Sequence, residues 1–151
     1  MKLSGSRLLP GTPEQVWALI TDPHRLAKAL PGCERLDPDG PNRFKAVIGF
    51  ALAAISGKYS GSLEFADLTK PDSLRLKIEG KGAPGFVKGE ALVELKPAGD
   101  QTELRYDGEG QVGGMIAGVG QRMIEATAKK MVGQFFEKLA EQLHAKSAAK
   151  K

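Results

Sequence analysis

The alternation of apolar and polar residues through the middle of the chain predicts β-strands. Leu74, Leu76 and Ile78, for example, alternate with charged residues, and the same period recurs in several consecutive stretches. A period of two is that of a strand with one buried face. Turn-forming Pro, Gly and Asp residues separate these stretches, and no helical pattern stands between them. We therefore expect the strands to pair antiparallel.

Helical signals stand near the two ends of the chain. Thr12 followed by Pro13 is typical of a helix start, and Asp22-Pro23 begins a second short helix. From about residue 114 to residue 145, apolar side chains recur at spacings of three and four, which predicts one long amphipathic helix. Its predicted inward face consists of Ile116, Val119, Met123, Thr127, Met131, Phe135, Leu139 and Leu143.

This order of elements predicts an α+β fold. A curved antiparallel sheet of six to seven strands would wrap around the long C-terminal helix, with two short helices after the first strand. A length of 151 residues suits a single core. We expect one domain over residues 1–145 and a basic flexible tail over residues 146–151.

The chain contains 19 glycines, more than its length would ordinarily carry. Counting alternate positions along the predicted strands turns several glycines inward at one end of the sheet. A sheet face without side chains predicts either a cavity under the helix or a sheet bent closely enough to fill the gap. The two alternatives are compatible. The glycines concerned are Gly61, Gly80, Gly82, Gly89, Gly108 and Gly110.

Motifs that carry chemistry are scarce in this sequence. His24 and His144 have no partners at metal-ligand spacing, and the single Cys33 excludes an intramolecular disulfide. Residues 108–113 match G-x-G-x-x-G, but no second strand follows the final helix, so we reject a dinucleotide site. No signal peptide and no membrane-spanning stretch is expected. The net charge of +4, with lysines late in the chain, favours anionic surfaces or a solubilising tail.

Several short segments resemble a known family. The string Thr12–Leu19 resembles the opening of the START-like, helix-grip (SRPBCC) superfamily. Four further segments are together similar to the family of the CoxG subunit of carbon monoxide dehydrogenase, over roughly residues 1 to 140. These segments are Ala29–Glu34, Ser56–Gly61, Gly85–Ala91 and Gly120–Ile124.

The resemblance implies a helix-grip fold with a hydrophobic cavity between the sheet and the long helix. It also implies work alongside a molybdenum hydroxylase of the carbon monoxide dehydrogenase type, recruitment of that enzyme to the membrane, and binding of a respiratory quinone. The protein itself would carry no metal and no covalent cofactor, only a bound quinone or another lipid. Nucleic acid is not an expected partner. We expect a cytoplasmic protein, with a peripheral position at the inner face of the cytoplasmic membrane left open.

The expected function is therefore a non-catalytic carrier of an apolar ligand. The alternatives are a ligand-free assembly or recruitment subunit, and an enzyme like the cyclases and hydrolases that share this fold. Ser56, Lys58, Gln121 or Thr127 would donate a hydrogen bond to a quinone oxygen. The predicted ligand-binding residues are Trp17, Leu30, Phe50, Ile55, Tyr59, Phe65, Gly80, Phe86, Gly89, Met115, Val119, Met123, Thr127 and Met131. The predicted membrane or partner contacts are Leu52, Ile55, Lys146, Lys150 and Lys151.

Overall fold

Seven antiparallel strands form one sheet in the computed structural model, which describes residues 1–50, 56–83 and 85–149. The order across the sheet is β1-β7-β6-β5-β4-β3-β2. The strands are β1 (Lys2–Pro10), β2 (Cys33–Pro38), β3 (Arg43–Phe50), β4 (Gly57–Thr69), β5 (Ser73–Gly82), β6 (Gly85–Ala98) and β7 (Gln101–Gly113). The helices are α1 (Pro13–Ile20), α2 (Pro23–Ala29), a 3₁₀ helix (Met115–Val119) and the long α3 (Gln121–Ala149). The predicted helix-grip fold is thereby confirmed.

Both short helices begin where the sequence predicts. The Thr12 hydroxyl accepts a hydrogen bond from the Gln15 backbone N–H at 3.3 Å, and the Gln15 side chain accepts one from the Thr12 N–H at 2.9 Å. This reciprocal cap satisfies two N–H groups that the first turn of a helix leaves unpaired. At α2 the Asp22 carboxylate accepts from the His24 N–H at 3.0 Å. Caps of this kind fix where each helix starts, and therefore how its apolar face meets the sheet.

Large aliphatic side chains fill the end of the molecule where α1 and α2 cover the sheet. Leu9, Leu19, Leu74 and Leu139 are fully buried there. The second half of α3 lies over the same end, and Gln142 on that helix donates a hydrogen bond to the Arg25 carbonyl oxygen at 2.9 Å. We call this region the packed end; its buried cluster is Leu9, Val16, Trp17, Leu19, Ile20, Leu26, Ala29, Phe44, Leu63, Phe65, Leu74, Leu95, Leu104, Phe136, Leu139 and Leu143.

The first half of α3 differs from its predicted form. The α-helix begins at Gln121 rather than near residue 114, because Gly120 has a φ of +99° that interrupts the helical path. Met123 is exposed, and Ile124 faces the sheet instead. Each step of four residues advances about 40° beyond a full turn, so a series of such steps from Met123 to Leu143 spans about 200° of the helix. Met123 and Leu143 therefore cannot share one inward face of the helix.

At its other end α3 runs further than expected. The helical backbone continues through Ala149, so the residues predicted as a tail, 146–151, begin inside the helix. The side chain of Lys146 lies outside the described part of the structure, as do Lys150 and Lys151. The predicted apolar contact segment around Leu52 and Ile55 also lies outside the described residues.

Candidate functional site: an apolar cavity

A cavity of about 320 Å³ lies between the sheet and the first half of α3. Its wall is almost entirely apolar. The helix contributes a stripe at spacings of three and four residues, and Leu30, Pro31 and Ile116 close the sides. The helical stripe consists of Ile124, Thr127, Ala128, Met131 and Val132. The sheet contributes Ala46, Ile48, Tyr59, Gly61, Leu63, Ile78, Gly80, Val87, Gly89, Gly110 and Val112.

The strand register explains why the cavity lies here. Gly61 pairs with Gly80 between β4 and β5, and Gly89 pairs with Gly110 between β6 and β7. Directly paired residues point to the same face of a sheet, so each pair removes two neighbouring side chains from the inner face. Ile78 pairs with Gly89 and still faces inward, yet more than a third of it is exposed, because the space above it is empty. We call this region the glycine end.

The glycines of this region do two different things. A Cβ on Gly61 would collide with the backbone carbonyl of Glu79, so glycine is needed there for the close approach of β5. A Cβ on Gly80 would meet Val87 Cγ2 at 3.5 Å and Tyr59 Cβ at 3.7 Å, both ordinary contacts. Gly80 thus leaves room that a side chain could occupy. The cavity and the close sheet geometry, left open as alternatives by the sequence, are both present.

Among the described residues, the polar side chains on the inner side of this wall are the hydroxyls of Tyr59 and Thr127. Ser62 and Gln111 also border the cavity, but they pair with Glu79 and Lys88 and so share the outer face of the sheet with them. Thr127 Oγ1 donates to the Met123 carbonyl oxygen at 2.9 Å and keeps its lone pairs available to accept a hydrogen bond. Tyr59 is buried, and burial raises the pKa of its phenol. Glu79 and Lys88 border the cavity through their strands, but their side chains pair with each other at 3.6 Å on the opposite, solvated face. An uncharged ligand is therefore favoured, because no ionised side chain of the described wall faces inward and the Met1 ammonium at its border donates to the Gly110 carbonyl oxygen at 3.1 Å.

The structure brings together part of the predicted ligand-binding set. These residues lie at the glycine end and contact one continuous empty space, with strand and helix contributions on opposite sides. Gly80 and Gly89 lie on the sheet side, where the parity of the strands placed them. The predicted residues that line the cavity are Leu30, Tyr59, Gly80, Gly89, Thr127 and Met131.

Two predicted aromatic residues belong to the packed end instead. Trp17 and Phe65 are buried in the hydrophobic cluster and do not line the cavity. The Phe65 ring packs edge-on against Phe44, with 5.9 Å between the ring centroids. Trp17 is on α1, which covers the packed end and so cannot reach the glycine end.

Other predicted residues lie on the outside of the molecule. Phe86 is on the outer face of β6, beside Gly113, while its neighbour Val87 faces the cavity. A shift of one residue moves a side chain to the other face of a strand. Met123 is also exposed, because of the phase of α3 described above, and Met115 and Val119 lie on the exposed side of the 3₁₀ helix, whose buried residue is Ile116. The side chain of Phe50, like Ile55, is outside the described part of the chain.

Most of the predicted hydrogen-bond donors are engaged elsewhere. Lys58 pairs with Glu34 at 3.3 Å, and Gln121 donates to Glu125 at 3.3 Å. Ser56 is exposed and does not line the cavity. Of the predicted donors, Thr127 alone lies on the described wall.

Several lining residues were missed from the sequence. Strand parity alone indicates Ile78 and Val87, since each shares a face with inward glycines. Ile116 was on the predicted inward face of the helix and does line the cavity, whereas Ile124 could not be found that way, because the break at Gly120 resets the helical phase between the two. The lining residues outside the predicted ligand-binding set are Met1, Pro31, Ala46, Ile48, Gly61, Ser62, Leu63, Ile78, Glu79, Val87, Lys88, Gly110, Gln111, Val112, Ile116, Ile124, Ala128 and Val132.

The described residues offer little to a metal or to a nucleophilic mechanism. They contain no group of three or more His, Cys, Asp or Glu side chains that could hold a metal ion. Burial raises the pKa of the Cys33 thiol, and its Sγ donates to the Arg35 carbonyl oxygen at 3.4 Å. A raised pKa lowers the thiolate fraction, which is the reactive form.

The fold and the cavity together define a helix-grip protein with an apolar binding space. Over residues 5–144 the chain matches the family described as the CoxG subunit of carbon monoxide dehydrogenase. It is 36% identical to a conserved protein from Geobacillus kaustophilus, with a TM-score of 0.94 and 96% of each chain covered. The chain belongs to the CoxG family, an accessory subunit family, and the predicted resemblance is confirmed.

More distant structures share the fold alone. A protein from Chromobacterium violaceum is 20% identical, with a TM-score of 0.74 and coverage of 94% of this chain and 96% of its own. A protein from Thermus thermophilus is 18% identical, with a TM-score of 0.74 and coverage of 97% and 99%. None of the curated proteins matches the chain significantly. In the part of the chain that the structure describes, no helix is both long enough and apolar enough to cross a membrane.

Proposed function

We propose that this protein is a non-catalytic accessory protein of a molybdenum hydroxylase of the carbon monoxide dehydrogenase type, and that its cavity binds a respiratory quinone. The observation that carries the proposal is the apolar space of about 320 Å³ at the glycine end. Family membership supports the association with such an enzyme.

The chemistry of the wall suits a neutral, largely hydrocarbon ligand. Burial of apolar surface is favourable by about 25 cal/mol per Å², so an isoprenoid tail or a quinone ring gains free energy there. The volume is near the lower end of ligand sites, which span about 300–1,000 Å³, so part of a long tail would stay outside. Because its own proton is donated to the Met123 carbonyl, Thr127 Oγ1 on the wall can accept a hydrogen bond from the hydroxyl of the reduced quinone, the quinol.

The non-catalytic part of the proposal rests on the same wall. General acid–base catalysis needs a titratable group within hydrogen-bond reach of the substrate. Among the described lining residues, Glu79 and Lys88 are turned to the solvated face together with their strand partners Ser62 and Gln111, and the hydroxyls of Tyr59 and Thr127 are on the inner side. Binding is therefore a better fit to these residues than turnover.

Exposed apolar side chains support the recruitment part of the proposal. They also favour the second candidate function, a ligand-free docking subunit. Met115, Val119 and Met123 expose apolar surface next to the cavity. Adjacent exposed apolar side chains are typical of interaction sites. We propose that such surface contributes to docking on the dehydrogenase at the inner face of the cytoplasmic membrane.

Filling the cavity tests the ligand proposal. Gly80→Leu adds a side chain into open space, and Ser60→Leu adds the same side chain to the outer face of β4 as the matched control. Binding would be measured as the thermal shift given by a short-chain ubiquinone or menaquinone analogue, together with mass spectrometry of solvent extracts. Wild type and Ser60→Leu should bind, and Gly80→Leu should lose at least tenfold in affinity. Empty extracts and no thermal shift for the wild type would contradict the proposal.

Recruitment is tested separately from ligand binding. The tagged wild type and the Gly80→Leu variant would be used to capture the dehydrogenase from the host and to float with vesicles of anionic lipid. Capture by both proteins supports a docking role that does not need the cavity. Failure of the wild type to capture the enzyme would rule out the accessory role while leaving quinone binding standing.

A further inference from the structure

The connection between β7 and α3 has an unusual construction. It runs from Gly114 to Gly120, and we call it the strap. Gly114 has a φ of +82° and Gly120 a φ of +99°, both in the region that favours glycine. Between them lies the 3₁₀ helix Met115–Val119. The strap is therefore a short rigid turn with a conformationally permissive residue at each end.

Among the described residues, the backbone hydrogen bonds of the strap join it to itself and to the start of α3. The Ala117 N–H donates to the Gly114 carbonyl at 3.2 Å, and the Gly120 N–H donates to the Ala117 carbonyl at 3.5 Å. Gly120 in turn accepts from the Ile124 N–H at 3.2 Å. Within the described residues, no backbone hydrogen bond joins residues 115–119 to a strand of the sheet. Displacing the strap would break none of the sheet's ladder.

One side chain secures the strap. Ile116 is 1% exposed, lines the cavity, and lies beside Gly85, where an added Cβ would come within 3.0 Å of its Cγ1. Met115, next to it, is 80% exposed, and Val119 is exposed as well. Gly118 and Gly120 have no heavy atom within 4 Å of an added Cβ. The contact that keeps the strap against the cavity is thus concentrated in a single isoleucine.

We propose that the strap is the lid of the cavity, that Gly114 and Gly120 are its hinges, and that Ile116 is its latch. The inference rests on the proposed ligand-binding function and adds the route by which ligand enters and leaves. Opening withdraws one apolar side chain from the wall and rotates the backbone at two residues that tolerate the change. A ligand in the cavity touches Ile116 and would hold the lid closed, which slows its own release.

The association rate is the measurement that identifies a lid. If uptake requires an open strap, the observed association rate scales with the open fraction, whereas loss of a wall contact alone changes the dissociation rate. The neutral fluorescent probe N-phenyl-1-naphthylamine would be followed by stopped-flow fluorescence. Ile116→Ala should raise its association rate at least threefold, and Met115→Ala, on the same strap but outside the cavity, should leave the rate unchanged.

The hinges offer a second matched pair. Gly118 and Gly120 both face open space, but of these two glycines only Gly120 has a positive φ. Gly120→Ala strains the closed strap without a steric collision and should raise the association rate, while Gly118→Ala should not. Amide hydrogen exchange at Ile124, whose N–H donates to the Gly120 carbonyl across the hinge, should quicken in Ile116→Ala and Gly120→Ala, with the melting temperature tracking global folding.

The possible outcomes separate the lid from the proposed function. If the wild type binds the probe and all four variants associate at the wild-type rate, the lid is overturned and ligand binding stands. If Ile116→Ala changes only the dissociation rate, Ile116 is a wall residue and no latch. If neither probe nor quinone binds the wild type, the proposed function fails and the lid fails with it.

Discussion

The packed end and the glycine end of this molecule are built from the same sheet and the same helix, yet one is filled and the other is hollow. At the packed end, Leu74 on β5 and Leu139 on α3 belong to one fully buried cluster. At the glycine end, Gly80 on the same strand and Met131 on the same helix lie on opposite sides of an open cavity. The backbone pairing of β5 with β6 continues through both regions without interruption.

The difference between the two ends therefore lies in side-chain volume rather than in topology. An inner face that carries leucines close-packs against the helix, as protein interiors ordinarily do. An inner face that carries paired glycines cannot do so unless the helix moves closer, and the packed end holds the helix at its distance. The packed end would thus supply the stability that lets the glycine end remain open.

The largest effect should come from truncating the packed end. Leu139→Ala is expected to lower the free energy of unfolding by about 2–5 kcal/mol, because it leaves a new void in a filled core. Met131→Ala, two turns earlier on the same helix, borders space that is already empty and should cost clearly less. Urea unfolding of both variants measures the contrast. Equal losses would mean that the glycine end is as tightly packed as the other end.

A second contrast lies within the glycine end. Gly61→Ala places a Cβ against the Glu79 carbonyl and should destabilise the protein by about 1–3 kcal/mol, as overpacking does. Gly80→Ala meets only ordinary contacts, and it should be neutral or stabilising by up to about 1 kcal/mol, because alanine restricts the unfolded chain. Thermal unfolding measures the change in stability of each variant relative to the wild type. A loss at Gly80 equal to that at Gly61 would show that both glycines serve backbone packing alone.

Strand positions were the part of this site that the sequence could predict. Strand parity is a period of two without drift, so counting from Ile78 or Ala91 located Gly80 and Gly89 on the inner face. The same count places Phe86 on the outer face of β6 and its neighbour Val87 on the inner face, which lines the cavity. Parity is therefore a sharper guide to the sheet side of the cavity than the apolar character of a residue.

The helix side was harder to predict because its phase depends on where the helix begins. The apolar series from Ile116 through Met123 reads as continuous in sequence, but Gly120 divides it into two elements with different axes. The phase of α3 decides which of its residues face the cavity. Ile124 lies on that face and Met123 does not. The positive φ of Gly120 is set by tertiary structure and has no signature in the spacing of apolar residues.

A smaller effect is expected from the hydroxyl of the cavity wall. Thr127→Val keeps the shape of the side chain and removes its hydrogen-bonding group. The affinity for a short-chain quinol, whose hydroxyl can donate to Thr127 Oγ1, should fall about 3- to 10-fold, in line with the loss of one hydrogen bond of about 0.5–1.5 kcal/mol. The affinity for N-phenyl-1-naphthylamine in the same titration serves as the control and should change less. Parallel losses for both molecules would indicate that Thr127 acts through packing.

The smallest effect concerns Tyr59, which belongs to the glycine end and ionises with difficulty. Burial raises the pKa of its phenol above the ordinary value of 10.0, so the folded protein holds the phenolic proton more tightly than the unfolded chain does. The stability contributed by this group is complete below pH 10.0 and is lost as the pH rises through the folded pKa. Absorbance titration of the phenol should show a late step that Tyr59→Phe removes. A bound quinone should move that step to still higher pH, because it excludes water from the same space; an unmoved step would place the ligand away from Tyr59.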